Sequence, residues 1–467
     1  MKKYFLITLL LLLTGTLFAQ EGINFDQSTW KEVLAKAKQE KKLVFVDVYT
    51  GWCVPCKKMA AQVFTQKKVG NFFNSSFINY QIDAEKGEGI TIAKGFGVRA
   101  YPTFLFVNGD GILVYRTEGY NEAGKFLQEA AIAIKEKGDP KPFAIWENEY
   151  NAGERSKAFL MGYLKKRSVI NAPSADLIDL ITPLLGKEEF YNPDFLASVI
   201  YPNSNIEYVP NGRFYNYVIA HYKEIDPLLG KNNGYSLHVL DMGMRNYFNK
   251  NIIKDKKEDM LPVIIAAKKQ LMALLNDNDA DPELASKELT MNYYKGTKNV
   301  KKLIPAARDY VYNGLMKLNI AGKIAADKAD FQKKMEPYLS GTEDSTKVPE
   351  WNLFKNVFSR RRMMNTSYNL RDAAEAIYKN VSDKNTLAEA LEWAKKADSW
   401  YPHFSNKAVY AGLLFKTGHK SQAITLMQKA SEAEPLKSSP IIYKLVMDNI
   451  DKLKRDEAPV DLWSVQI

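Results

Sequence analysis

The chain has 467 residues, of which 65 are basic and 54 acidic, so its formal net charge is +11. Basic and acidic residues are interspersed, and we interpret the tightest basic cluster, Arg360 to Arg362, as a solvated helix face rather than a nucleic-acid patch. Cysteine occurs only at Cys53 and Cys56. A framework of several disulfides within the chain is therefore excluded.

The first twenty residues predict an export signal. Lys2 and Lys3 precede an apolar run from Tyr4 to Leu13, and a small residue follows at Ala19. This pattern is typical of a secretory signal peptide that is cleaved after Ala19. An uncleaved anchor is the weaker alternative, because an apolar run of about ten residues is shorter than the roughly 20 that a spanning helix needs. We expect an exported, periplasmic protein with no membrane span after signal removal.

Between residues 22 and 138 the sequence alternates between helix and strand patterns. In chain order it predicts a helix at 29–42, a strand at 43–49, one or two helices at 55–74, a strand at 77–85, a helix at 89–97, two strands within 103–119 around a turn at 108–111, and a helix at 121–137. Strands that alternate with helices and end in a hairpin and a final helix indicate a mixed sheet covered on both faces.

Helical patterns dominate after residue 142, and two stretches near the C-terminus repeat. ALEWAKKADSWYP at 390–402 aligns with AITLMQKASEAEP at 423–435. The alignment superposes Ala390 on Ala423, Ala397 on Ala430 and Pro402 on Pro435. The shift of 33 residues is close to the ~34 of tetratricopeptide repeats.

The second copy resembles the tetratricopeptide family over a whole repeat, with Gly418 at the turn between helices and Ala423 and Ala430 where the second helix packs closely. A fainter echo near the start of the helical region places Gly153 and Ala158 at the same spacing. Any antiparallel helical hairpin favours Gly at its turn and Ala at its crossings, so a plain hairpin remains the alternative. Because such a stack needs about three repeats, we expect degenerate helices to complete it.

These patterns divide the chain into six parts. They are a signal peptide at 1–19, an α/β domain at 20–138, a linker containing Pro and Gly at 139–142, an α-helical region at 143–370, tetratricopeptide-like repeats at 371–455 and a C-terminal tail at 456–467. The predicted fold class is thus an α/β domain followed by a larger all-α, partly tetratricopeptide-like helical-repeat domain.

The close-set cysteines admit three interpretations: half of a metal site, a structural bridge or a redox centre. A structural zinc site needs four ligands from Cys and His, but there is no third cysteine. All four histidines lie in the predicted helical region: His221, His238, His403 and His419. A bridge that closes so short a loop stabilises the fold by only about 2 kcal/mol on the chain-entropy model. Redox exchange is favoured, and we expect neither a metal nor an organic cofactor.

The position of Cys53 suits a reactive thiol. It falls between an apolar strand and a helix that begins near Pro55, where unpaired backbone N–H groups and the positive end of the helix dipole favour a thiolate. Lys57 and Lys58 add positive charge, which lowers a thiol pKa further. Cys56 lies one turn further into the helix and should be less exposed. We predict that Cys53 attacks and Cys56 resolves.

Asp47 is a charged residue inside an otherwise apolar strand. Leu43 and Phe45 share its face and valines fill the other, so both faces are predicted to be buried. Burial should raise the pKa of the carboxyl, which makes it a candidate to accept the proton of the Cys56 thiol as that thiol attacks a mixed disulfide. A partly exposed Asp near the strand end is the alternative.

The segment VFVDVYTGWCVPCKKM resembles the active-site segment of the thioredoxin family. The residues at the family's spacing are Asp47, Trp52, Cys53, Pro55 and Cys56. FGVRAYPTFLFVNGDG resembles the family's later segment, and the likeness, which covers residues 22–138, implies a thioredoxin fold. Within the family, GWCVPCKKMAAQVF is similar to the periplasmic C-terminal module of DsbD-type reductant carriers, although Val54 replaces the glycine usual in thioredoxins.

This resemblance implies further site residues. Pro102 would take the cis form and face the cysteines, turning the Tyr101 backbone outward so that an extended substrate strand can bond to it. An ordinary trans proline at a strand start is the alternative. Gly119 matches the glycine that completes the substrate groove. Trp52 either packs locally or shields the mixed disulfide formed by Cys53.

We therefore expect an exported thiol-disulfide oxidoreductase that acts as a protein disulfide reductase through the redox-active disulfide Cys53–Cys56. A strong oxidant needs an unusually stabilised reduced form, and the Val54-Pro55 dipeptide offers no histidine or charge for that. The expected partners are a protein disulfide substrate, an unnamed thiol electron donor and a protein bound by the helical repeats, with no nucleic acid. The alternative is a helical-repeat binding scaffold whose thioredoxin-like module is mainly a docking surface.

Overall fold

A computed structural model describes residues 22–459 except 99, 171, 202–205, 233, 277–278, 349–350 and 433–439. The predicted signal peptide and Pro435 lie outside these residues. The chain divides into two compact units, the first ending at Asn246 and the second beginning at Tyr247. Within the described ranges, no helix combines the length and the apolar character needed to cross a membrane.

The first unit contains a four-stranded mixed sheet. Its strands are β1 (Leu43–Tyr49), β2 (Phe77–Asp83), β3 (Thr103–Val107) and β4 (Leu113–Glu118), in the order β2-β1-β3-β4. The pairing of β1 with β2 is parallel, and those of β1 with β3 and β3 with β4 are antiparallel. The ends of β1 are those predicted from its apolar run.

Five helices cover the sheet. They are α1 (Trp30–Gln39), α2 (Val54–Gln62), α3 (Lys67–Ser76), α4 (Gly87–Gly95) and α5 (Ala123–Lys137). Thr29 caps α1 in a reciprocal capping box with Glu32, which satisfies backbone N–H groups that the first turn leaves free. The predicted segment 55–74 is resolved into two helices, α2 and α3.

Alternate residues of β1 enter two apolar cores, one on each face of the sheet. Phe45 packs against Phe73 of α3 and Phe126 of α5, and Met59 of α2 belongs to the same core. Val46 points into the second core, on the side of α1 and α4. This confirms the predicted mixed sheet covered on both faces.

The first unit continues with further helices in its described residues. Its helices are α6 (Phe143–Asn151), α7 (Lys157–Val169), α8 (Ala175–Ile181), α9 (Lys187–Phe190), α10 (Pro193–Val199), α11 (Arg213–Leu228) and α12 (Tyr235–Tyr247), with a 3₁₀ turn at Thr182–Leu184. Ile170, just after α7, is buried in the core that contains Phe45. The buried Lys166 forms ion pairs with Glu136 and Asp139. Residues on both sides of the predicted linker are therefore packed together.

The second unit is all-helical in its described residues. Its helices are α13 (Leu261–Leu275), α14 (Pro282–Gly296), α15 (Val300–Tyr312), α16 (Ile320–Leu339), α17 (Trp351–Ser359), α18 (Arg361–Asn380), α19 (Lys384–Trp400), α20 (Phe404–Lys416), α21 (Lys420–Ser431) and α22 (Pro440–Lys454), with a π-helical turn at Phe248–Ile253 and 3₁₀ turns at Glu258–Met260, Leu315–Lys317 and Ser345–Lys347. The predicted fold class, an α/β domain followed by a larger all-α portion, is confirmed.

The glycine and alanines of the sequence repeat occupy the positions that a helical hairpin requires. Gly418 lies between α20 and α21 with φ +89°, a conformation that favours glycine. Ala423 and Ala430 are buried in α21. In the fainter echo, Gly153 also has a positive φ, of +101°, but Ala158 is exposed. The tetratricopeptide-like character of these helices remains a prediction.

Candidate active site

The two cysteines lie where the sheet meets the first turn of α2. Cys53 is the N-cap residue of this helix, and Pro55 occupies its first turn, where a missing N–H group costs nothing. Cys53 and Cys56 form a disulfide with a Cα–Cα distance of 5.3 Å. The Cys56 N–H group donates a hydrogen bond to Cys53 Sγ at 3.1 Å. A thiolate at Cys53 would accept the same bond, which favours the ionised form.

The prediction that Cys56 is less exposed than Cys53 is wrong for this oxidised form. Cys53 is 2% exposed and Cys56 is 6% exposed. As N-cap, the Cys53 sulfur folds back over the first turn of α2, and this position removes it from solvent. The exposure of the disulfide therefore does not distinguish attacker from resolver, and these two roles remain predictions.

Asp47 is buried on β1, with 2% of its surface exposed. Burial raises the pKa of its carboxyl to about 7, while a hydrogen bond from Gln81 acts in the opposite direction. Gln81 Nε2 donates to Asp47 Oδ2 at 2.7 Å. Asp47 Oδ1 is buried with no hydrogen-bond partner among the described residues. The carboxyl thus has one satisfied oxygen and one unused oxygen.

The alternation of β1 places Asp47 on the same face as Phe45. Met59 belongs to the apolar core of that face, and Cys56 and Met59 are the buried residues of α2. Asp47 therefore lies on the side of the sheet that the cysteine-bearing helix covers. The predicted burial of Asp47 is confirmed.

The Tyr101–Pro102 peptide bond is cis, as the resemblance to the thioredoxin family implies. Pro102 directly precedes β3, and the N–H group of Gly119, just after β4, donates to the Pro102 carbonyl oxygen at 2.8 Å. Gly119 has φ +81°, a conformation that favours glycine. The structure thus brings Pro102 and Gly119 together at one end of the β3–β4 pair.

Trp52 is 47% exposed, and its indole ring makes two contacts with other side chains. Its Nε1–H group donates to Glu85 Oε1 at 3.0 Å, and its ring packs edge-to-face on Tyr101 with centroids 5.9 Å apart. The sequence neighbour of Cys53 is therefore also a neighbour of the cis peptide in space. Trp52 and Tyr101 form an aromatic rim beside the disulfide.

Sequence reasoning missed two residues of this site, Gln81 and Glu85. Gln81 is the exposed residue in the otherwise buried run FINYQI of β2, and the strand register places it directly beside Asp47. A polar residue in this apolar strand could have been noticed in the sequence as a candidate site residue. Its partner, Asp47, could not, because that pairing depends on the register between β1 and β2. Glu85 follows β2 in a turn, and nothing in the sequence ties it to Trp52.

The two lysines predicted to add positive charge near the cysteines lie in α2. Lys57 and Lys58 are exposed on α2. Lys58 Nζ lies 4.2 Å from the centroid of the Tyr120 ring. Among the described residues, no group of three or more His, Cys, Asp or Glu side chains is arranged to hold a metal ion.

Known proteins resemble the part of the chain that carries this site. A family model described as a thioredoxin-like domain matches residues 30–132. Thioredoxin H4 from Arabidopsis thaliana is 37% identical over 93 residues, which make up 20% of this chain and 73% of that protein. The chain belongs to the thioredoxin family. Residues 30–132 form its thioredoxin-like domain, and the Cys-X-X-Cys pair of these thiol-disulfide oxidoreductases is Cys53 and Cys56.

The thioredoxin-like domain is also homologous to DsbD. The thiol:disulfide interchange protein DsbD of Yersinia pestis (strain Pestoides F) is 35% identical over 99 residues, 21% of this chain but only 16% of DsbD. The oxidised C-terminal domain of Neisseria meningitidis DsbD is 27% identical, with a TM-score of 0.21, and the match covers 23% of this chain and 97% of that domain. The sequence match to the Yersinia pestis protein thus involves a small part of each chain.

Proposed function

We propose that this protein is an exported protein disulfide reductase, with Cys53 as the attacking thiol, Cys56 as the resolving thiol and Asp47 as the group that accepts the Cys56 proton. The observation that carries the proposal is the position of the cysteine pair at the N-terminus of α2, on the face of the sheet where Asp47 is buried. A buried carboxyl with a pKa of about 7 is suited to exchange protons near neutral pH.

In the first step of the proposed reaction, the Cys53 thiolate attacks one sulfur of a substrate disulfide. A mixed disulfide forms, and the other substrate sulfur leaves as a thiolate. In the second step, Asp47 takes the proton from Cys56, and the resulting thiolate attacks Cys53. The Cys53–Cys56 disulfide forms while the second substrate sulfur leaves. The substrate gains two electrons and the protein loses two, so an external dithiol must reduce the protein again.

Four residues would bind the substrate chain: Trp52 and Tyr101 of the aromatic rim, and Pro102 and Gly119. The cis bond before Pro102 presents the Tyr101 backbone, to which an extended peptide can bond as an added strand. Trp52 would cover the mixed disulfide. A groove that recognises backbone rather than particular side chains suits a reductase with several protein substrates.

The helical portion would bind a protein partner or substrate through tetratricopeptide-like repeats, with the boundaries predicted from the sequence. The buried alanines of α21 and the glycine turn before it support close helix packing of that kind. The basic and apolar pattern of residues 1–19 supports export and a periplasmic location. An oxidising compartment would also make an electron donor necessary for a reductase.

Trapping of the mixed disulfide tests the proposed roles of the two cysteines. In Cys56→Ser, Cys53 still attacks but nothing resolves, so the reduced protein should accumulate as a covalent adduct with a disulfide-containing protein such as insulin. Non-reducing electrophoresis and mass spectrometry detect the adduct and its site. Cys53→Ser is the matched control and should form little adduct. An adduct that forms as fast through Cys56 as through Cys53 would contradict the assignment.

A further inference from the structure

Gln81 gives Asp47 the one hydrogen bond that the structure shows for its carboxylate. Its register partner is Asp47 on the adjacent parallel strand, and its Nε2–H group reaches Asp47 Oδ2 at 2.7 Å. Gln81 itself is exposed, because β2 is an edge strand of the sheet. A surface side chain thus extends to a carboxyl that solvent does not reach.

This bond distinguishes the two oxygens of Asp47. Oδ2 accepts the amide hydrogen, whereas Oδ1 is buried with no partner among the described residues. An amide N–H donor stabilises the ionised carboxylate, and a proton on Oδ2 would compete with it. The oxygen that remains to take a proton is Oδ1.

The other groups around Asp47 have little influence on the pKa of its carboxyl. The elements packed on this face contribute aromatic side chains, namely Phe73 from α3, Phe104 from β3 and Phe126 from α5. The titratable and charged groups are the Cys53–Cys56 pair and the exposed Lys57, both in α2, and the ion pair Asp83–Lys86 at the end of β2. Burial and Gln81 are the causes that set the pKa of Asp47. The cysteines add titrating thiols in the reduced form alone.

We propose that Gln81 is a positioning residue for the resolving step: its amide stabilises the ionised form of Asp47 through Oδ2 and directs the Cys56 proton to Oδ1. This inference rests on the proposed function. Gln81 does not contact the reacting sulfur atoms and transfers no proton. Without its amide, burial would leave a smaller fraction of the carboxyl ionised at neutral pH, and a protonated carboxyl cannot accept the thiol proton.

Two substitutions at this exposed position should move the titration of Asp47 in opposite directions. Gln81→Leu removes the donor, and a hydrogen bond to a charged group is strong enough to raise the pKa by about one unit. Gln81→Lys replaces the amide with a cation, which should lower the pKa of Asp47. A merely structural disturbance would shift both variants the same way. Gln62→Leu, at an exposed glutamine at the end of α2, is the matched control.

The first measurement is the ¹³C chemical shift of the Asp47 carboxyl against pH in the oxidised full chain, assigned with Asp47→Asn. The midpoint should rise in Gln81→Leu, fall in Gln81→Lys and stay in Gln62→Leu. The second is the pH profile of insulin reduction with dithiothreitol as donor, after subtraction of the Cys53→Ser rate. At pH 7, Gln81→Leu should reduce insulin about five-fold more slowly than the wild type. The reason is that a pKa of Asp47 one unit higher leaves about a tenth of the carboxyl ionised instead of half. Near pH 9 the variant should regain the wild-type rate.

The formation of the mixed disulfide separates this role from general damage. In the Cys56→Ser background the first step does not use Asp47, so Gln81→Leu should leave its rate unchanged. An active protein whose Gln81 variants keep the wild-type profile, or both shift in one direction, overturns the role of Gln81. A wild-type protein that fails to reduce insulin at any pH contradicts the proposed function instead.

Discussion

The thioredoxin-like domain and the all-helical second unit each bury a carboxylate almost completely, but they surround it differently. In the second unit, Asp327 is 2% exposed and accepts hydrogen bonds from the backbone N–H groups of Arg362 at 3.0 Å and Met363 at 3.1 Å. The Arg362 guanidinium adds an ion pair at 3.4 Å. Asp327 therefore caps the start of α18 with both of its oxygens in use.

Asp47 is equally buried but receives one neutral donor, from Gln81. A buried polar atom without a partner costs about 1–3 kcal/mol, and such atoms in native proteins call for an explanation. Asp327, whose two oxygens both accept hydrogen bonds, stabilises a helix end. Asp47, which has one hydrogen-bond donor, lies on the face of the sheet that the cysteine-bearing helix α2 covers. Titratable groups with shifted pKa values of this kind concentrate at functional sites.

The comparison predicts that Asp47 weakens the fold as the pH rises. Its pKa is raised from 3.8 to about 7, so the folded state holds this proton where the unfolded chain has released it. The stabilising contribution of the protonated form is complete below about pH 4 and is lost by about pH 7. A pKa difference of about three units corresponds to about 4 kcal/mol in the free energy of unfolding.

Urea-induced unfolding of the oxidised protein between pH 4 and pH 8 measures this dependence. The free energy of unfolding of the wild type, relative to that of Asp47→Asn, should fall by about 4 kcal/mol across the range. Parallel stability curves for the two proteins would show that the ionised Asp47 carboxylate is stabilised in the fold as well as that of Asp327. The proposed difference between the two carboxylates would then be wrong.

Loss of Asp327 should be the next largest effect. Asp327→Ala leaves the Arg362 and Met363 N–H groups without their acceptor and breaks a buried ion pair, at a cost of about 3 kcal/mol in the free energy of unfolding. Asp330→Ala is the matched control, because Asp330 also pairs with Arg362, at 2.7 Å, but has a side chain 53% exposed. Little or no change is expected there. Equal destabilisation by the two variants in urea titrations would contradict the capping role.

The sequence predicted the thioredoxin-like domain almost element by element, since each element there has a distinct local pattern. The valines and aromatic residues of 43–49 gave the bounds of β1, and the apolar residues on both sides of Asp47 gave its burial. The Gln81 bond was not predictable, because it depends on the register between β1 and β2, which is set by contacts far apart in sequence. The exposure of the cysteines also depended on how the Cys53 sulfur folds over α2.

In the helical portion the sequence predicted helices but not their partners. The basic cluster at Arg360 to Arg362 was interpreted as a solvated face, yet the Arg362 side chain is 14% exposed and pairs with Asp279, Asp327 and Asp330. Helical periodicity shows which residues share a face. It does not show which distant helix covers that face, so these ion pairs required the structure.

The most direct test of the account is the reduction of insulin disulfides by the protein in the presence of dithiothreitol, compared with Cys53→Ser at pH 7. We predict that the wild-type protein accelerates the precipitation of insulin chains well above the rate with dithiothreitol alone, and that Cys53→Ser falls to that background. Equal rates for the two proteins would contradict a disulfide reductase and would favour a binding scaffold built on a thioredoxin fold.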